Sequence, residues 1–166
     1  LFMATLIAQY FLQPLWPAFG EAMARDHLQW VRRTFNRALA LSLGFGVLTG
    51  LLLMLFGKRI VSMLAGPDIV PSTILLLGFT LLGLVYCIIG SISTYLNSGN
   101  LVSKQVPFFG LATLSALALK IVGANYWQVE GVVWGTVVAY GVFYILPAAQ
   151  LAYKSLPIPP VNPTIQ

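Results

Sequence analysis

Residues 38–56 read ALALSLGFGVLTGLLLMLF, a run with no charge and no polar group larger than a serine or threonine hydroxyl. At 1.5 Å rise per residue a helix of this length covers about 28 Å, close to the roughly 30 Å hydrocarbon core of a bilayer. A surface helix of a water-soluble domain carries a polar face along its length, and this stretch has none. Uncharged runs at 69–103, 105–119 and 131–153 repeat the pattern. Of the 166 residues 58% are hydrophobic and only 8% charged, whereas a soluble domain carries about a quarter. The sequence therefore predicts an all-α fold, a polytopic membrane helix bundle.

Working outward from 38–56, the apolar runs predict about five transmembrane helices, at about 1–24, 38–56, 72–97, 105–123 and 131–153. The first contains Pro14 and Pro17, which each remove a backbone donor and predict a kink. Between the first two helices, 26–37 places Leu28, Val31 and Phe35 on one face with Gln29, Arg32, Arg33 and Asn36 opposite. That pattern reads as an amphipathic connector at the interface, capped by Asp26, with its arginines towards headgroups; a charged loop continuing the next helix is the other reading. Residues 57–71 hold Lys58, Arg59, Asp68, Gly66 and Pro67 and predict a turn region. Asn97 to Asn100 form a polar break, and Tyr126 and Trp127 suit the headgroup level. Gly46 with Gly50, and Gly131 with Gly135, are spaced to let helices approach closely. Glu130 stands at the positive end of the last helix dipole. The tail 154–166, with Pro157, Pro159, Pro160 and Pro163, is expected to be cytoplasmic and disordered.

Charge fixes the expected orientation. Arg25, Arg32, Arg33, Arg37, Lys104 and Lys154 fall on one side of such a bundle, and Lys58 and Arg59 on the other. The positive-inside rule places the first set, and the C-terminus, in the cytoplasm. The net charge of +5 is then juxtamembrane, and no basic, aromatic-interleaved module suggests nucleic acid. Cys87 is the lone cysteine, in mid-run, so neither a disulfide framework nor a metal-ligand spacing exists, and no metal or cofactor is expected. Leu1 already lies inside a hydrophobic segment with no starting Met or basic flank, which reads as a chain incomplete at its N-terminus.

The segment Pro14-Leu15-Trp16-Pro17-Ala18-Phe19-Gly20-Glu21-Ala22, followed by Asp26, Trp30, Val31, Arg32 and Arg33, resembles the polysaccharide (O-antigen type) flippases of the multidrug/oligosaccharidyl-lipid/polysaccharide exporter superfamily. Leu96-Asn97-Ser98-Gly99 closing a helix, Gln105 opening the next, and Gly131-Val132-Val133-Trp134-Gly135-Thr136 opening the last agree in order, so the resemblance spans about residues 1 to 153. It implies a C-terminal fragment, roughly the eighth to twelfth helices of a two-lobe transporter whose N-terminal lobe is missing here. It also implies alternating-access transfer of an undecaprenyl-diphosphate-linked oligosaccharide from the cytoplasmic to the periplasmic leaflet of the inner membrane, for cell-surface polysaccharide and lipopolysaccharide biosynthesis. The partners are then membrane lipid and the lipid-linked oligosaccharide, and no covalent chemistry or catalytic residue is expected.

Such a protein needs a polar path for sugar and a countercharge for diphosphate. Lys120 is the one basic residue inside a predicted helix interior, which marks it for the pathway, although its long side chain can equally snorkel to the interface near Trp127. Gln9, Gln13 and Trp16 could bond and stack against sugar, or serve ordinary helix packing. Glu21 precedes Arg25 by four residues, the favourable order for a local ion pair, with proton coupling the sharper alternative. Arg32, Arg33 and Arg37, with Arg25, read as topology determinants or as a gate at the cytoplasmic mouth.

Rival functions remain within reach of the sequence. A drug or cation antiporter of the same superfamily would want a buried carboxylate, which the second to fifth predicted helices lack, and a lipid II flippase is a near relative. A membrane glycosyltransferase needs acidic or basic catalytic residues on sizeable loops, whereas the longest predicted internal loop carries only Asp68. A non-transporting assembly subunit is the remaining class, since five helices alone do not enclose a pathway.

Overall fold

The structure is a computed structural model and describes residues 10, 12–66 and 70–156. All secondary structure in them is helical: α1 (Leu15–Ala24), α2 (Leu28–Ala65), α3 (Thr73–Ser98), α4 (Val102–Tyr140), a π-helical turn (Gly141–Ile145) and α5 (Leu146–Ser155). Three helical runs, Leu28–Leu64, Thr73–Ser98 and Val102–Ser155, are long and apolar enough to cross a membrane. Within their most apolar windows only 17%, 28% and 17% of residues are buried by the protein itself. Leu41, Leu48, Leu51 and Leu55 lie open on α2, an apolar surface that lipid tolerates and water does not.

The third run is a hairpin. Trp127 (φ −130°, ψ 15°) and Gln128 (φ 52°, ψ −130°) leave helical geometry in the middle of α4, and the chain reverses there. A side-chain carbon built on Gly131 would meet the Gly123 backbone, and one on Gly135 would lie 3.0 Å from the Leu119 carbonyl. Further from the tip, Phe109 packs on Tyr140 at 5.9 Å and on Tyr144 at 5.7 Å between ring centroids. Partner numbers that keep a near-constant sum about residue 127 define antiparallel arms, 102–126 and 129–155. Each arm is about 37–40 Å long at helical rise, enough for a separate crossing.

Small residues set the other contacts. On α2, Gly46 faces Leu84 and Cys87, and Gly50 faces Thr80, so α2 and α3 run antiparallel at close range. All four glycines expected to face helices do so, because only a residue without Cβ admits the neighbouring chain there. Ser91 donates a 2.8 Å hydrogen bond to Ser42 across the same interface, a buried polar contact worth about 1 kcal/mol in a membrane setting. The Trp134 indole nitrogen donates to the Ile74 carbonyl at 3.4 Å, and Ser72 donates to Glu130. These contacts hold the start of α3 against the returning arm.

Several boundaries differ from the sequence expectation. The connector 26–37 is not a separate element: α2 starts at Leu28 and continues without a break to Ala65. Its apolar face turns inward, with Val31 and Phe35 at 0% and 1% exposure, and Phe35 lies 4.9 Å from Tyr95 between ring centroids. Neighbouring helices, rather than lipid, cover that face. The turn region expected from residue 57 is helical as far as Ala65, because Lys58 and Arg59 are good helix formers, and the helix ends at Gly66, at φ 102°. Asp26 does not cap α2. It takes φ 58° as the left-handed residue closing α1, where the His27 N–H donates to the Ala22 carbonyl at 2.9 Å. Asn100 (φ 55°) closes α3 in the same way, with the Leu101 N–H donating to Leu96 at 2.9 Å. Both residue types tolerate that conformation.

Pro14, Pro17 and Pro147 stand at a helix start or beside a widened turn, whereas Pro107 lies within α4. Tyr10 and Leu12 are helical, the chain turns at Gln13 and Pro14, and α1 begins at Leu15. The expected kink is thus a break, with Pro14 at the cap and Pro17 in the first turn, where no N–H is missed. Pro147 follows the π-helical turn Gly141–Ile145. In a regular helix its ring would meet the Phe143 carbonyl, and the widened turn gives that carbonyl room. The expectations for Gln9, for Asp68 and for the tail beyond residue 156 lie outside the described residues.

Candidate functional site

The membrane-length helices are apolar along most of their surface, so a concave polar site among them stands out. Leu12, Gln13 and Trp16 from the turn before α1 and its first residues face Ile89, Gly90, Ser93, Thr94 and Asn97 on α3 across a cavity of about 570 Å³. Their positions follow from local rules. The break at Gln13 and Pro14 turns both Gln13 and Trp16 outward, while Phe19, one turn later, is 1% exposed against Tyr95. On α3, Gly90, Ser93, Thr94 and Asn97 recur at helical spacing and form one stripe.

Behind the stripe lies a closed hydrogen-bond network. The Tyr144 hydroxyl donates to Gln105 Oε1 at 3.1 Å, and Gln105 Nε2 in turn donates to Asn97 Oδ1. Ser93 Oγ lies 2.6 Å from the same tyrosine oxygen. Since the tyrosine proton is committed to Gln105, Ser93 is the donor in that pair. Gln105 is 8% and Tyr144 1% exposed, so an unmet partner here could not turn to water. Thr94 Oγ1 donates at 2.8 Å to the Gly90 carbonyl of its own helix. Among the described residues the cavity wall therefore offers two amides (Gln13 and Asn97), two hydroxyls (Ser93 and Thr94) and an indole (Trp16). That inventory suits a neutral, hydroxyl-rich ligand, to which amides and hydroxyls give hydrogen bonds and an aromatic face gives stacking.

On the other side of the same turn lies an apolar groove of about 650 Å³, lined by Leu12, Leu15, Ala38, Ala40, Leu41, Ser42, Gly44, Phe45 and Leu48. The two concavities share Leu12. Residues 12–16 thus divide a polar wall from an apolar one, Gln13 and Trp16 on one side and Leu15 on the other.

The residues singled out from sequence separate into three places. Gln13 and Trp16 line the polar cavity together, and Gln9 is outside the described residues. Lys120 is half-buried on the 102–126 arm, about 22 Å along the helix from Gln105 and next to Leu119, which packs on Gly135. It does not join Gln13 and Trp16. Glu21 and Arg25 are exposed at the end of α1, linked by a backbone hydrogen bond of 3.0 Å from Arg25 N–H to the Glu21 carbonyl. Arg32, Arg33 and Arg37 are exposed on the first turns of α2.

Sequence reading missed Ser93, Gln105 and Tyr144 as a unit. Gln105 was visible as the opening of a helix, and a tyrosine and an amide inside apolar runs are a signal of a buried bond. Their pairing across 39 residues depends on the hairpin register. No family model, curated protein or solved structure matches the chain.

Proposed function

We propose that this chain is a five-crossing part of a polysaccharide flippase, with its C-terminus in the cytoplasm, that moves a lipid-linked oligosaccharide across the inner (cytoplasmic) membrane. In this reading the arms of the hairpin, α2 and α3 make four crossings, and the fifth is the helix expected from sequence at about 1–24, most of whose first half lies outside the described residues. One observation carries the reading: a polar cavity lined by Gln13, Trp16, Ser93 and Asn97 adjoins an apolar groove lined by Leu15, Leu41 and Leu48, with Leu12 common to both. A lipid-linked sugar has the same division. Its hydroxyls need hydrogen-bond partners within a medium that supplies none, while its hydrocarbon tail loses nothing by staying against leucine.

The resemblance to the flippase superfamily supports the same conclusion, as does the segregation of basic residues to one side of the bundle. Under alternating access a second lobe would close the cavity on its open side. The test is accumulation of lipid-linked oligosaccharide on the cytoplasmic side in cells lacking the full-length gene, with complementation by wild type and by Gln13→Leu/Trp16→Ala. Loss of the gene should cause accumulation, wild type should clear it, and the double variant should insert normally yet clear it poorly. Deletion without accumulation, or full clearance by the double variant, would remove the basis for this function.

A further inference from the structure

A second concavity, of about 690 Å³, is lined by Asp26, His27, Leu28, Gln29, Trp30, Arg33, Thr34 and Arg37, and the translocation reading does not use it. We propose that it is a binding site for the phosphodiester headgroup of an anionic membrane lipid, held by Arg33 and Arg37 beside Trp30.

The argument starts from the geometry of α2. At 100° per residue, Trp30, Arg33 and Arg37 fall within about 60° of one another, and all three are exposed. Arg32 lies about 100° or more from each, on another face. The opposite face carries Val31, Phe35 and Ala38, at 0%, 1% and 7% exposure, so the helix is locked in rotation and the two guanidinium groups are held outward. Trp30 is 45% exposed, and its ring stands edge-on to the buried Phe19 with centroids 6.1 Å apart. It forms a fixed wall rather than a freely rotating one.

Depth is fixed by the same helix. Within the candidate span Leu28–Leu64, no charged residue occurs between Arg37 and Lys58. The hydrocarbon boundary therefore falls near Arg37, and the Trp30–Arg37 turns stand at headgroup level, where indole rings prefer to lie. Anionic headgroups attract juxtamembrane basic residues, and a planar guanidinium matches two phosphate oxygens with paired N–H donors. Asp26 also lines the cavity. Two guanidinium groups against one carboxylate leave the wall positive, which selects a ligand with net negative charge over a zwitterionic one bearing its own ammonium.

The test uses native mass spectrometry of the full chain in detergent, with dioleoyl-phosphatidylglycerol as the anionic probe and dioleoyl-phosphatidylcholine as the zwitterionic one. Circular dichroism verifies the helicity of each variant. Phosphatidylglycerol should be preferred, and Arg33→Gln/Arg37→Gln should weaken it roughly thirtyfold, while Arg32→Gln leaves it nearly unchanged. Arg33→Lys/Arg37→Lys should recover part of the loss, because charge returns without the paired donors. Equal affinity for both lipids, or an equal loss with Arg32→Gln, would overturn the site. Displacement of phosphatidylglycerol by excess inorganic phosphate would assign it to free phosphate and overturn the lipid assignment.

Discussion

Replacing Gly131 with alanine should open the hairpin at its tip. An alanine Cβ there would fall on the Gly123 carbonyl and 2.7 Å from the Gly123 Cα, and backbone atoms of an adjoining helix cannot turn aside as a side chain can. Forcing one carbon into such a contact costs about 1–3 kcal/mol. Against this, a helical glycine replaced by alanine ordinarily gains about 1 kcal/mol in conformational preference. Gly44 supplies the reference, since it lies mid-helix on α2 with nothing within 4 Å of the position a Cβ would take. Gly44→Ala should be neutral or stabilising and Gly131→Ala less stable than it by about 1–3 kcal/mol, the packing cost alone, since the gain in helical preference is common to both. Unfolding in mixed micelles with increasing sodium dodecyl sulfate, followed by circular dichroism, measures both on one scale. If Gly131→Ala is as stable as Gly44→Ala, the arms do not pack backbone to backbone and the antiparallel hairpin is wrong.

Gln128 holds φ 52° with ψ −130°, a sparsely populated conformation that costs a non-glycine residue about 1–3 kcal/mol, so Gln128→Gly should raise the same unfolding midpoint; a lowered midpoint would refute the turn geometry. Tyr144→Phe removes the proton given to Gln105 and the oxygen that receives Ser93, and should cost about 1–3 kcal/mol because the buried Gln105 carbonyl loses its donor. An unchanged midpoint would show that water or another group already satisfies them. On the proposed function, Lys120 lies far along its helix from the polar cavity, so Lys120→Ala in the complete protein should leave translocation nearly unchanged, as a side chain that snorkels to the interface would. Loss of transport that Lys120→Arg restores would instead place that charge on the substrate path.

What the sequence made legible was whatever depends on composition and local spacing. The uncharged run at 38–56 announced a lipid-compatible helix, and the pairs Gly46/Gly50 and Gly131/Gly135 announced close helix contacts, because a missing Cβ matters in the same way whichever partner arrives. Helix ends were less legible. Hydropathy stops at a charge, but a helix stops only where its backbone must leave αR, so Arg32, Arg37, Lys58 and Arg59 ended the apolar windows and not α2. Asp26 shows the same ambiguity from another side: its side chain fits an N-cap and its tolerance of positive φ fits a C-terminal closure, and only the backbone decides.

The candidate site was half legible for a related reason. Gln13 and Trp16 are neighbours in sequence and belong to one turn, so local reasoning brings them together. Ser93, Asn97, Gln105 and Tyr144 become one network only through two registers at once, that of α3 against the returning arm and that of the hairpin about Trp127. A shift of one residue in either would rotate Tyr144 by about 100° and take its hydroxyl out of reach. The π-helical turn at Gly141–Ile145 inserts such an adjustment immediately around Tyr144, and Pro147 gives the chain a steric reason to keep it. The local irregularity and the network are therefore coupled: the proline that widens the turn also aims the tyrosine, and the tyrosine fixes Ser93 directly and Asn97 through Gln105.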